Sequence, residues 1–155
     1  RIDTLINNAG VLTPGEAFAA VEAKSLNQAF ATNAAGPFLL TQALAPRLAD
    51  AAKVIAISSG LGSIARASRF GTPSYNISKA ALNMVVRMLG FALAERRIAV
   101  LALSPGWVKT EMGGAGADLE PAQSVANMLK VIDALHFDAD NIGHFLGNSG
   151  NAVPW

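Results

Sequence analysis

The 155-residue sequence has a formal charge of +1, with 12 Lys and Arg against 11 Asp and Glu and no block of either sign, so nucleic-acid binding and polybasic membrane attachment get no support. It has no cysteine, and its 2 histidines are His136 and His144, which excludes disulfides, thiolate metal sites and cysteine nucleophiles and argues against a histidine triad or zinc centre. Hydrophobic residues make up 52% and charged residues 15%, a balance that predicts strands buried on both faces in a helix-covered parallel sheet. No uninterrupted apolar run reaches the ~18 residues of a membrane span, and no signal peptide is visible. The expected location is the cytoplasm. The chain enters an apolar strand directly from Arg1, without Met, and is expected to be part of a longer protein.

In chain order, Ile2 to Ile6 predicts a short buried strand that ends in Asn7-Asn8-Ala9-Gly10. Asn7 and Asn8 either tie the sheet top to a cofactor or cap a turn. Val11 to Lys24 reads as a connection broken by Pro14-Gly15. From about Ser25 a long helix is predicted to run toward Leu48, with Leu26, Phe30, Asn33, Pro37, Leu40, Leu44 and Leu48 on one face. Asn33 is the polar exception on that face and needs hydrogen-bond partners if buried. Pro37 is expected to kink the helix there.

Val54 to Ile57 continues Lys53 into a second buried strand, ending in Ser58-Ser59-Gly60. A loop of Gly, Ser, Ala and Arg follows, in which Arg66 and Arg69 read as solvated. The next helix runs from Ser74 to about Arg96, with Ala81, Met84, Val85, Met88, Leu89 and Ala92 as its predicted buried stripe. Ile98 to Leu103 is a third strand, followed by Ser104-Pro105-Gly106-Trp107-Val108-Lys109-Thr110 and a glycine-rich segment expected to act as a lid. Glu120-Pro121 opens another helix, with Val125, Met128, Leu129, Ile132 and Leu135 as its stripe. Gly143 to Leu146 is a short last strand, and the tail ends in Val153-Pro154-Trp155.

Strand and helix alternate, which implies a parallel sheet built from right-handed crossovers. Asn7–Gly10, Ser58-Ser59 and Pro105–Thr110 all follow strand ends, where an open α/β sheet holds its ligands. Tyr75 and Lys79 are four residues apart and share one side of their helix. By itself such a pair is as readily a rim tyrosine beside a solvated lysine. At a ligand crevice it suits proton chemistry, because a nearby ammonium favours the phenolate and lowers a phenol pKa that is ordinarily near ~10.

Taken together, Asn7-Asn8-Ala9-Gly10, Thr32-Asn33-Ala34, Ser58-Ser59, Tyr75-x-x-x-Lys79 and Pro105-Gly106 resemble, in order and nearly in spacing, the short-chain dehydrogenase/reductase family. Pro105 to Gly114, the helix from Ser124 to Leu135 and Val153-Pro154-Trp155 resemble its C-factor (C-signal) and sniffer-like carbonyl reductase branch. The resemblance implies a Rossmann-like, doubly wound parallel α/β sheet, of which residues 1–155 would form a partial domain: the C-terminal two-thirds, with about four strands and flanking helices. The implied activity is NAD(P)-dependent reduction of a carbonyl, or oxidation of a secondary alcohol, by hydride transfer.

The roles implied by the family are these. Tyr75 is the acid or base at the substrate oxygen. Lys79 holds the nicotinamide ribose and lowers the Tyr75 pKa. Ser59 polarises the carbonyl, with Ser58 and Ser63 as alternatives because the spacing to Tyr75 is slightly long. Asn33 holds a water linked to Lys79. Asn7, Ala9 and Gly10 line the cofactor, and Pro105, Gly106, Val108 and Thr110 contact its nicotinamide end, the cofactor being NADP or NAD. No metal is implied. The expected partner is a small carbonyl or alcohol substrate, and a homodimer through the two long helices is possible in the family.

The family's glycine-rich dinucleotide loop and the residue that separates NAD from NADP belong upstream of Ile2, outside this sequence. The strand Ile2–Ile6 is then expected to present a bare apolar edge. The same branch includes a shortened extracellular signalling form, so the alternative expectation is a C-signal-like signalling or interaction protein that keeps the dehydrogenase site.

Overall fold

The computed structural model describes residues 1–155. Four parallel strands form one sheet in the order of the chain: β1 (Ile2–Asn7), β2 (Leu48–Ile57), β3 (Ala99–Ser104) and β4 (His144–Gly147). Each parallel step is crossed by helix: α1 (Ala23–Phe30) and α2 (Gly36–Leu44) before β2, α3 (Pro73–Leu93) before β3, and α4 (Pro121–Ala134) before β4. Strand residues of opposite parity feed two cores. Val54, Val100 and Ala102 pack with Leu82, Val86, Leu89 and Leu93 of α3 on one face. Ile55, Leu101 and Leu103 pack with Ile132 and Leu135 at α4 on the other. This is the Rossmann-like, doubly wound arrangement expected from the alternating elements and the apolar composition.

Several predicted boundaries and faces move. Leu48 is not the end of a helix. It begins β2, whose pairing with β1 jumps in register from Ile2↔Leu48 to Thr4↔Lys53. The long predicted helix is α1 and α2 joined by a π turn over Ala31–Ala35. Pro37 lies in the first turn of α2, directly after that π turn, and lacks the N–H that would bond to the Asn33 carbonyl. The irregularity is the π turn itself. The buried line runs Ala29, Asn33, Pro37, Thr41, while Phe30 and Leu40 face outward.

Helix α3 is also rotated from its predicted stripe. Met84 and Met88 are exposed, and Ser78, Lys79, Leu82, Asn83, Val86, Leu89 and Gly90 are buried. Hydrophobic periodicity misplaces the seam because three of its members are polar and have partners inside. On α4, Val125 and Leu129 are half exposed, and the small polar Ser124 turns inward to donate to the Pro105 carbonyl at 2.7 Å. Residues Pro73–Arg96 are long and apolar enough, by length and composition, to cross a membrane, contrary to the sequence expectation. Their packing, with Lys79 and Asn83 turned in toward the sheet, is that of a core helix.

Two cations brace the layers. Lys53 on β2 donates to the Ile132 and Asp133 carbonyls near the end of α4, at 2.6 and 3.0 Å, where a helix favours positive charge. Arg96 donates to the Ala45 and Leu48 carbonyls at 2.7 and 2.5 Å, which ties the end of α3 to the start of β2.

Leu101 sits at 0% exposure in a central strand. Replacing it by Ala is expected to lower unfolding free energy by about 3 kcal/mol, read from urea denaturation, as for other buried leucines that leave a cavity.

Candidate active site

The carboxyl ends of β1, β2 and β3 open into a cleft of about 480 Å³. Asn8, Gly10, Ile57, Ser58, Ser59, Pro105, Gly106, Val108 and Thr110 supply its strand-end wall, and Tyr75 and Lys79 enter from α3. Leu12, Leu61, Trp107, Met112, Val125 and Met128 make much of the remainder apolar. A larger hollow, about 640 Å³, runs along α4 and β4. None of the motif residues reaches it, so size does not mark the site here.

Lys79 is 3% exposed and Tyr75 is 8% exposed. The Lys79 Nζ donates to the Ile57 carbonyl at 2.6 Å, at the last residue of β2, and lies 5.5 Å from the centre of the Tyr75 ring. Gly62 lets the loop after β2 lie against the lysine, since a Cβ there would come within 2.8 Å of the Lys79 main chain. Gly10 approaches from the β1 side, where an added Cβ would stand 3.6 Å from the Lys79 Nζ.

Asn33 is at 0% exposure in the π turn, and its amide is fully used. Its Oδ1 accepts from the Val11 N–H at 2.8 Å, and its Nδ2 donates to the Val11 carbonyl and to the Ser78 hydroxyl, both at 2.9 Å. Ser78 in turn donates to the Tyr75 carbonyl at 2.7 Å. Asn33 therefore fastens the chain leaving β1 to the helix that carries Tyr75 and Lys79.

The three serines separate by their bonds. Ser58 donates to the Asn83 Oδ1 at 2.7 Å, and Ser63 donates to the Pro154 carbonyl at 2.6 Å. Ser59 accepts from the Leu61 N–H at 3.1 Å and lines the cleft with Tyr75, where its hydroxyl favours the ionised phenol. Of the other motif residues, Asn7 is buried and donates to the Thr41 hydroxyl at 3.2 Å, so its side chain joins the end of β1 to α2. Neither Asn7 nor Ala9 is among the cleft residues, whereas Asn8 is. Sequence reasoning passed over Leu12 and Leu61, which carry no motif and are recognisable only by their place.

Trp107–Ala117 is a hydrogen-bonded loop. Lys109 and Leu119 pair through main-chain bonds with Leu119 and Trp107, and the Trp107 indole donates to the Gly113 carbonyl at 2.8 Å. Any Cβ at Gly113 would fall 2.0 Å from the Val108 carbonyl oxygen, which is why the close turn requires glycine.

Burial acts on both titratable groups against their charged forms. It raises the Tyr75 phenol above its ordinary 10.0, with the Ser59 hydroxyl pulling the other way. It lowers the Lys79 ammonium from 10.5 to about 8. Against the expectation of a lowered phenol pKa, the net direction is upward through burial, and the Lys79 ammonium points at the Ile57 carbonyl. The result is a neutral phenol beside an amine that titrates near neutrality, two groups whose environments suit them to donate and pass protons.

A model of the short chain dehydrogenase family matches residues 1–120, and the chain belongs to that family. The protein named C-signal from Myxococcus xanthus is 40% identical over 156 residues, covering 99% of this chain and 93% of that protein. The Drosophila melanogaster carbonyl reductase Sniffer superposes with a TM-score of 0.92 at 31% identity, over 99% of this chain and 66% of its own. An NADPH-bound carbonyl reductase from chicken fatty liver gives a TM-score of 0.88 at 37% identity, over 97% and 65%. The chain thus spans about two-thirds of these solved reductases, and the resemblance to the C-signal and sniffer-like branch holds.

Between about pH 8 and pH 10.5 the unfolded chain keeps the Lys79 proton and the folded chain does not, so stability rises with pH there. Above 10.0 the unfolded chain loses the Tyr75 proton first, and stability falls. Urea unfolding across this window is expected to show a Lys79 gain of up to about 3 kcal/mol, and Lys79→Met should flatten it.

Proposed function

We propose that this chain carries the catalytic part of an NAD(P)-dependent carbonyl reductase of the short-chain dehydrogenase family, cytoplasmic and acting on an aldehyde, ketone or secondary alcohol of modest size. The observation that carries this reading is the buried Tyr75–Lys79 pair facing Ser59 across a cleft formed at strand ends. The approach of Gly10 to Lys79, with Pro105, Gly106, Val108 and Thr110 on the same strand-end wall, fits the nicotinamide half of a dinucleotide. Lys79, Gly10 and those four residues would hold it, and Asn7 and Ala9 would support that wall from behind. A bound nicotinamide supplies hydride chemistry. The relatives solved with NADP make NADP as fitting as NAD.

Reduction of a carbonyl needs a proton at oxygen as well as a hydride at carbon. Tyr75 holds that proton because burial keeps its phenol neutral. The Ser59 hydroxyl, next to it, donates a hydrogen bond to the same oxygen and polarises the carbonyl. Lys79, near its own titration point, returns a proton toward Tyr75 after transfer. Asn33 acts at a distance in this scheme: its side chain holds Val11 and Ser78, so any water on the path to Lys79 would rest on main-chain groups of the π turn. The apolar wall of Leu61, Trp107 and Met112 favours a substrate with a hydrocarbon flank.

A second reading is a signalling or interaction protein that keeps the site. It is favoured by the match to C-signal over 93% of that protein's length. A homodimer is proposed through the exposed apolar residues Leu39, Leu40, Met84, Met88 and Phe91 of α2 and α3.

Calorimetry on the 155-residue chain should detect NADPH or NADH binding that is lost in Lys79→Ala. Tyr75→Phe should keep that binding and lower carbonyl turnover at least a hundredfold, the lower range for a general acid; undiminished turnover would overturn the assignment, and biological activity surviving Tyr75→Phe would favour signalling. In sedimentation, the parent should run as a dimer and Met84→Glu as a monomer.

A further inference from the structure

The tail of the chain closes on the loop that carries Ser59. Ser63 is 2% exposed, and its hydroxyl donates to the Pro154 carbonyl at 2.6 Å. Two residues on, the Ala65 N–H donates to the Trp155 main-chain oxygen at 3.0 Å. The tail is itself anchored on β4. Val153 donates to the Phe145 carbonyl at 2.8 Å, and the Trp155 ring lies 5.5 Å from that of Phe145, with the Arg87 guanidinium 5.9 Å from its centre.

On its other side the same loop is held by one amide of α3. Asn83 accepts from the Ser58 hydroxyl at 2.7 Å and donates to the Gly62 carbonyl at 3.1 Å. Ser59 thus lies between two points held by α3, and the tail holds the loop immediately beyond the second of them, at Ser63 and Ala65. A tail that merely covered Phe145 would need only its apolar contacts. Here its carbonyl oxygens take up donors of the Ser59 loop, one of them a buried side-chain hydroxyl with no other work in the site.

We propose that Val153–Trp155 is a strap that positions Ser59 against Tyr75, with Ser63 and Trp155 as positioning residues. This rests on the reading of Ser59 and Tyr75 given above. Physically, the strap removes freedom from a glycine-containing loop before substrate arrives, so the Ser59 hydroxyl need not be ordered during reaction. It also couples β4, at the far edge of the sheet, to chemistry at the end of β2.

The test uses a property of the sequence. It contains 1 tyrosine, so the ultraviolet phenolate band of the folded chain reports Tyr75 alone. Ser59→Ala should move that titration to higher pH, since its hydroxyl is the group that opposes burial. Ser63→Ala and Trp155→Ala should move it the same way, and Ser59→Ala with Ser63→Ala should move it no further than Ser59→Ala alone. Trp155→Phe, which keeps a ring on Phe145, should titrate as the parent. Thermal unfolding of each variant separates a local change from loss of fold, and the two strap variants perturb the tail by independent contacts. If both titrate as the parent while Ser59→Ala shifts, the strap is wrong and the site stands. If Ser59→Ala leaves the titration in place, the Ser59–Tyr75 pairing fails and the strap falls with it.

Discussion

The Asn33 side chain is the constraint on which the rest of this structure depends. A buried amide must have partners, or it costs on the order of 1–3 kcal/mol for each group left unmet. Asn33 finds them in two places far apart in sequence: both main-chain groups of Val11 and the hydroxyl of Ser78. Meeting that demand sets where the chain goes after β1 and which way α3 is turned about its axis. Once α3 is so turned, Tyr75 and Lys79 face the sheet, and Met84 and Met88 face away. The π turn that holds Asn33 has the same cause in view, since it brings the amide inward without ending the helix.

From that orientation the electrostatics of the site follow. Turning Lys79 inward strips its ammonium of water, and the Ile57 carbonyl restores only part of what is lost. Its pKa falls to about 8. Turning Tyr75 inward has the opposite sign, because the neutral form of a phenol is the protonated one. A pair that would be commonplace on a surface becomes a neutral acid beside an easily titrated amine. The titration behaviour of the pair lies in the burial as much as in the residue types.

The loops at the strand ends show how such a cleft is kept in shape without regular structure. The loop after β2 is bonded to Asn83, to the Ser104 hydroxyl and to the tail. The loop after β3 is closed by its own main chain and by the Trp107 indole. Glycines stand where the chain runs closest, at Gly62 against Lys79 and at Gly113 against Val108. Each leaves no room for a side chain, so these loops lie directly against their neighbours.

Much of this was legible in the sequence. Alternating apolar runs and turn residues determined the parallel sheet. The order of Asn7–Gly10, Asn33, Ser58-Ser59, Tyr75, Lys79 and Pro105-Gly106 determined the family and which strand ends border the cleft. The helix faces were not legible, because periodicity counts hydrophobic residues and the decisive seams on α1–α2 and α3 run through Asn33, Thr41, Ser78, Lys79 and Asn83. A polar residue reads as outward until its partner is known, and each of these has a partner 21 to 45 residues away in the chain. What separates Ser58, Ser59 and Ser63 is visible only in tertiary structure for the same reason: three like hydroxyls differ only in what each one touches. So is the direction of the Tyr75 shift, since the charge of a neighbour can be read from sequence and the water it loses cannot.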